Sequence, residues 1–263
     1  MKSLALLGAE KKREERIIIR KAAKAIGRPC LASRPNNMYM NHLFYADDSC
    51  LLAASPTALQ RLLDICVCYA IEFDITYNEL KSHCMLFRPR KLKSLCIPSI
   101  FVRGKELIFS TSVKYLGIFI NDDLSDNTDM ERHIRYIYSK GNYLTRNFTK
   151  CSIDVKKRLF STFCRNIYGG HLWNIYSNGD FKKVQVSYNN VYRSLFNVKR
   201  GESISQHMMY NNVDHFKVLV RKQMCSFRTR LTKSTNVCLV SLVNSVFFLF
   251  NSNTSCSWRK FIY

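Results

Sequence analysis

Two adjacent aspartates, Asp47 and Asp48, stand in the middle of the stretch Met40-Asn41-His42-Leu43-Phe44-Tyr45-Ala46-Asp47-Asp48-Ser49-Cys50-Leu51-Leu52. Apolar residues flank the pair on both sides, so the stretch reads as a strand, a tight acidic corner and a second strand. Side chains alternate along a strand, which puts Leu43 and Tyr45 on one face and His42 and Phe44 on the other. One aspartate at a turn is ordinary, because its carboxylate bonds the nearby backbone. Two ionised neighbours are less so, since each disfavours the charge of the other until a cation joins them. Mg²⁺ takes carboxylate oxygen and keeps several waters, so it suits such a corner. A hairpin holds ligands in place better than a mobile loop does.

A hairpin alone is marginal, so the corner needs backing. Ser55-Pro56 opens a helix, with Ser as cap and Pro at the first helical position. Leu59, Leu62, Leu63, Cys66, Ala70 and Phe73 follow the helical period, and this stripe should pack on the sheet that carries the hairpin. Asn78 to Phe87 turns out of the helix into a short strand, Cys84 to Phe87. The run Arg88-Pro89-Arg90-Lys91 reads as an exposed loop. Ile100 to Phe109 reads as a hairpin with Gly104 near its turn. Val113 to Ile120 reads as one strand whose Gly117 marks a bulge or a close backbone approach.

From there on the pattern is helical. Thr128 or Asp129 can cap a helix carrying Met130, Ile134, Ile137, Tyr138, Leu144 and Phe148. Ser152 or Asp154 opens a second, with Val155, Leu159, Phe160, Phe163 and Ile167, closed by Gly169-Gly170. A third runs from about Phe181 to Val198, and a fourth from about Val213 to Leu231. Asp122-Asp123 reads as turn and cap chemistry. Ahead of the acidic corner, Glu10 to Ile26 reads as a basic helix that Arg28-Pro29 ends. The fold class is therefore α+β, with strands and helices segregated along the chain.

The chain has 263 residues and a net charge of +22, which points to a polyanionic partner. Residues 1–34 hold ten Lys/Arg against three acids, residues 35–129 nine against eleven, and residues 130–233 twenty against five. A cation-binding module followed by one that grips nucleic acid would look like this. The eleven cysteines form no Cys-x-x-Cys and read as reduced core residues of an intracellular protein rather than a zinc site. The first eight residues are too short an apolar run for a signal peptide. Val237 to Phe250 is too short to span a membrane, which takes about 20 residues.

The acidic corner, with its Tyr45-Ala46-Asp47-Asp48, resembles the aromatic-x-Asp-Asp box of reverse transcriptases, and the sequence around it resembles those of non-LTR retrotransposons. Further landmarks follow in order. Asn78-Glu79-Leu80-Lys81-Ser82 is similar to the Asn-x-x-Lys-Ser turn after the family's long palm helix. Val113-Lys114-Tyr115-Leu116-Gly117 is similar to its Lys-Tyr-Leu-Gly strand near the palm–thumb junction. Arg158-Leu159-Phe160 to Cys164, then Leu172-Trp173, then Tyr188-Asn189-Asn190 and Arg193, resemble the helices beyond it.

The resemblance implies a partial palm over 38–124 and a helical, basic thumb over 125–233. Residues 1–37 would be a basic extension outside the fold, and 234–263 an unassigned tail. It also implies an RNA-directed DNA polymerase, a nucleotidyltransferase using two Mg²⁺ ions, with an RNA template, a DNA primer or RNA–DNA hybrid, and a dNTP in the intact parent enzyme. Asp47 and Asp48 would be catalytic metal ligands, and Lys81 an acid for the departing diphosphate. The strand around Lys114 and Gly117 would support the primer end, and Tyr45 would also bind nucleic acid. Lys156, Lys157 and Arg158 would follow the nucleic-acid backbone through phosphate contacts. A nuclear site of action is implied only by how such elements insert.

The chain also departs from the family. No Asp precedes Asp47, and Glu10, Glu14 and Glu15 lie in a basic helix. The family's upstream catalytic aspartate and fingers are thus missing, and the expectation is a reverse transcriptase fragment that is inactive alone. The alternative is a non-catalytic, sequence-independent nucleic-acid-binding module or the relic of a decayed retroelement.

Overall fold

A computed structural model describes the backbone of residues 2–9, and residues 41–46, 48–87, 98–245 and 248. The expected basic helix from Glu10 to Ile26, the loop from Arg88 to Lys91 and Asp47 itself lie outside the described residues. The fold is α+β, and the chain divides into two compact units, Met1–Leu124 and Ser125–Tyr263.

The first unit is built on a five-stranded sheet. Its strands are β1 (Lys2–Ala9), β2 (His42–Tyr45), β3 (Asp48–Ala53), β4 (Tyr77–Phe87) and β7 (Ile108–Phe109), in the order β2-β3-β1-β4-β7. All neighbours are antiparallel except β4 and β7. Helix α1 (Pro56–Glu72) connects β3 to β4, and its Ser55 cap accepts from the Ala58 amide at 3.2 Å. Its buried stripe, Leu59, Leu62, Leu63, Cys66 and Ala70, packs with Leu51, Ala53 and Cys84 of the sheet, as the period suggested. The other sheet face presents Cys50 and Met85 to Val113 on β8 (Ser112–Tyr115), which pairs with β9 (Ile118–Asn121). Alternation along β3 accounts for both sides, odd residues meeting the helix and even ones the hairpin.

Two expectations are corrected here. Residues 2–9 are not outside the fold, because β1 is the strand between β3 and β4. The apolar run Leu4-Ala5-Leu6-Leu7 suits a strand paired on both edges. The stretch from Val113 to Ile120 is also not one strand. It reverses at Leu116 (φ 47°) and Gly117 (φ 82°), and both residues are left-handed as a two-residue hairpin turn requires. The stretch from Ile100 does turn at Arg103-Gly104, between β5 (Phe101–Val102) and β6 (Lys105–Glu106), before β7 joins the large sheet.

The second unit is helical: α2 (Asn127–Phe148), α3 (Ile153–Phe163), a 3₁₀ turn (Gly170–Leu172), α4 (Asn178–Phe196), α5 (Ile204–Tyr210), α6 (Phe216–Thr232) and α7 (Val237–Val243). Its core gathers Met130, Ile137, Leu144, Phe160, Trp173, Tyr188, Tyr192, Leu195 and Phe216. Gly141 lets α2 approach α4 closely: a Cβ there would stand 2.5 Å from the Val191 methyls. The described part of the tail is not structureless, since Val243 and Phe248 pack on Phe227 and Leu231. No helix among the described residues is long and apolar enough to cross a membrane.

Candidate active-site corner and basic helical surface

Strand register puts four residues in one row at an end of the sheet. Tyr45 faces Asp48 across the β2–β3 hairpin, Asp48 faces Gly8 on β1, and Gly8 faces Asn78 on β4. Facing residues share a side of the sheet, so Tyr45 and Asp48 both lie on the side opposite α1. Tyr45 is 64% exposed there and Asp48 is half-buried. Tyr115 approaches the same side: burial, then Cys50 and Asp48, raise its phenol above the usual range. Burial pushes the Cys50 thiol up to about 12, so it stays protonated. Ala46, at the corner, has φ 53°, a conformation that costs a residue with a Cβ about 1 kcal/mol.

The Asn-x-x-Lys-Ser segment has its own physical account. Between Gly8↔Asn78 and Leu6↔His83, β4 advances further than β1, so the intervening residues form a bulge. The Asn78 carboxamide oxygen accepts from the amides of Leu80 at 3.1 Å and Lys81 at 3.2 Å. The Ser82 hydroxyl donates to the Asn78 carbonyl at 2.8 Å. Asn and Ser thus pin the bulge, and Lys81 rides on it, exposed, at the end of the sheet that holds Asp48. Lys114 is exposed on β8, one residue from Tyr115, and Gly117 forms the hairpin turn beyond it. The structure therefore brings Tyr45, Asp48 and the Lys81 bulge to one end of one sheet.

Among the described residues the donor set does not fit a pair of metal ions. Two ions at one site need carboxylates that converge from more than one strand, and the strand beside the corner, Lys2-Ser3-Leu4-Ala5-Leu6-Leu7-Gly8-Ala9, has none. Its residue across from Asp48 is a glycine. Among the described residues no three His, Cys, Asp or Glu stand together as a metal site.

In the helical unit the three expected phosphate contacts differ from one another. Lys156 is only 7% exposed, because it shares the inward face of α3 with Phe160 one turn on. It is poorly placed for a phosphate, which corrects the expectation. Lys157 is half-buried, 3.4 Å from Asp154, and Arg158 is exposed.

A polar network in this unit escaped sequence reasoning. Asp129, expected as a cap, is instead 1% exposed. It accepts from the Trp173 indole N–H at 2.9 Å and from Arg132 Nε at 2.7 Å. A second Arg132 nitrogen donates to the Tyr168 carbonyl at 3.1 Å. Asp126, at the helix start, accepts from the amides of Asn174 and Ile175, both at 2.6 Å. Next to Asp129, burial first and Arg132 second lower the pKa of His133 to about 4. The signal available in sequence was a tryptophan whose N–H needs a buried acceptor. No protein-family model matches the chain, and no curated protein matches it either.

Proposed function

We propose that the chain is a palm-and-thumb portion of a reverse transcriptase of the non-LTR retrotransposon kind, and that by itself it binds nucleic acid without extending a primer. One observation supports the reading most: the row Tyr45–Asp48–Gly8–Asn78, with an acidic hairpin and a pinned lysine bulge at one sheet end and a glycine where a second strand's carboxylate is needed. Mg²⁺ in this chemistry activates the attacking oxygen and stabilises the leaving diphosphate. Asp47 and Asp48 are adjacent in the chain, and two neighbouring carboxylates offer too few directions to hold two metal ions.

Primer extension on an RNA template, with a DNA primer, dNTPs and Mg²⁺, tests this. The expected signal equals that of Asp47→Ala. Robust extension that Asp47→Ala abolishes would refute it. The excess of twenty Lys/Arg over five acids in residues 130–233 favours the binding half of the reading. It implies affinity that falls steeply with salt, as released counterions demand. Affinity unchanged between low and physiological salt would remove that half.

A further inference from the structure

A cavity of about 340 Å³ opens on the helical unit, between α6 and the turn that follows α3. Three cationic side chains line it: Arg165 ahead of the turn, and Lys222 and Arg230 from α6. Asp214 answers two of them, ion-paired with Arg165 and 2.7 Å from Lys222 Nζ. Among the described residues, no acidic side chain lines the cavity itself. Burial and the nearby Arg230 hold the pKa of His171, also on the wall, below its ordinary value, so it adds no charge at neutral pH. One negative charge against three leaves the site net positive, and a concave positive site concentrates anions.

Two features ask for more than a counter-ion. Tyr168, 52% exposed, is also on the wall. The volume falls at the small end of the roughly 300–1,000 Å³ typical of ligand sites, far more than a lone phosphate fills. Cations and an aromatic ring together match a phosphate and a base.

We propose that this cavity receives one nucleotide of a single-stranded nucleic acid, its phosphate on Arg165, Lys222 and Arg230 and its base against Tyr168. Single-strand sites combine backbone cations with aromatic stacking in this way. Asp214 holds the Arg165 and Lys222 side chains in place before the strand arrives. The site lies wholly in the helical unit, so it stands or falls separately from the acidic corner and from any result of primer extension.

Fluorescence anisotropy of a labelled, unstructured oligonucleotide, titrated with the full chain, tests it. Tyr168→Ala should weaken binding on the order of tenfold, while Tyr168→Phe, which keeps the ring, should not. Neither should alter affinity for an abasic sugar–phosphate strand. Arg230→Gln should weaken binding several-fold and lower the slope of log affinity against log salt by about 1. Circular dichroism of each variant is the control for folding. If Tyr168→Ala costs the abasic strand as much as the base-bearing one, no base enters the cavity. If Arg230→Gln and Lys222→Gln both leave affinity and slope unchanged, the phosphate binds elsewhere. If duplex DNA loses as much as the single strand from Tyr168→Ala, the single-strand assignment fails. Each of these results overturns the proposal.

Discussion

Asp48 in the sheet unit and Asp129 in the helical unit are the same side chain in opposite circumstances. Asp129 is 1% exposed and draws hydrogen bonds from Trp173 and Arg132. Asp48 sits half-buried at a hairpin end, and its neighbour on β1 is a glycine. A carboxylate surrounded by fixed donors serves the fold. One whose cross-strand neighbour is a glycine leaves room beside it for a further group. What faces an acid, rather than the acid itself, decides which role it has.

The largest expected effect breaks the comparison if it fails. Asp129→Ala leaves the Trp173 N–H and the Arg132 guanidinium without their acceptor, and should cost the helical unit about 3 kcal/mol in urea unfolding. Asp48→Ala should cost under about 1 kcal/mol in the same assay. Equal losses would mean that the two acids are not different in kind.

His133 sharpens the comparison through pH. Its folded-state pKa of about 4 lies below the ordinary 6.5, so between those values the unfolded chain binds the extra proton. Stability is therefore full above pH 6.5 and lost as pH falls toward 4, by up to about 3 kcal/mol. The urea midpoint followed over that window should slope downward toward acid, and His133→Leu should flatten the slope.

Gly8→Asp adds a carboxylate across from Asp48. It should introduce a Mg²⁺- or Mn²⁺-dependent rise in melting temperature larger than any in the natural sequence, corresponding to about 1.4 kcal/mol at tenfold excess over the dissociation constant. The absence of any divalent effect would show that β1 and β3 do not present that row to one side. Smallest is Ala46→Gly, which relieves the left-handed φ and should stabilise by roughly 0.5 kcal/mol, read as a slight rise in melting temperature.

The helix behind the corner was legible because its Leu59–Ala70 stripe has a period and its Ser55 cap a mechanism. The acidic hairpin was legible for the same kind of reason: an acidic pair stands between apolar arms, and Tyr45 does face Asp48. Strand β1 was not, since a short apolar run beside a basic one carries no periodicity, and its pairing depends on β3 and β4, far along the chain. The reversal at Leu116-Gly117 was hidden because two short strands joined by two residues look like one longer strand. Asp129 was misread because an acid near a helix start resembles a cap, and only tertiary packing brings Trp173 to it. Helix α5 went unread, and the fourth helix starts at Phe216, where His215 caps it, rather than at Val213.

The place of β1 in the sheet has a consequence for biosynthesis. Lys2–Ala9 leave the ribosome before either edge partner exists, and β4, the later one, follows the whole of α1. Until both arrive, an apolar segment with two open hydrogen-bonding edges waits unpaired, the state most inviting to chaperones and to self-association. Trimming or tagging that end of the chain would thus remove or obstruct the strand that joins the acidic ribbon to the rest of its sheet.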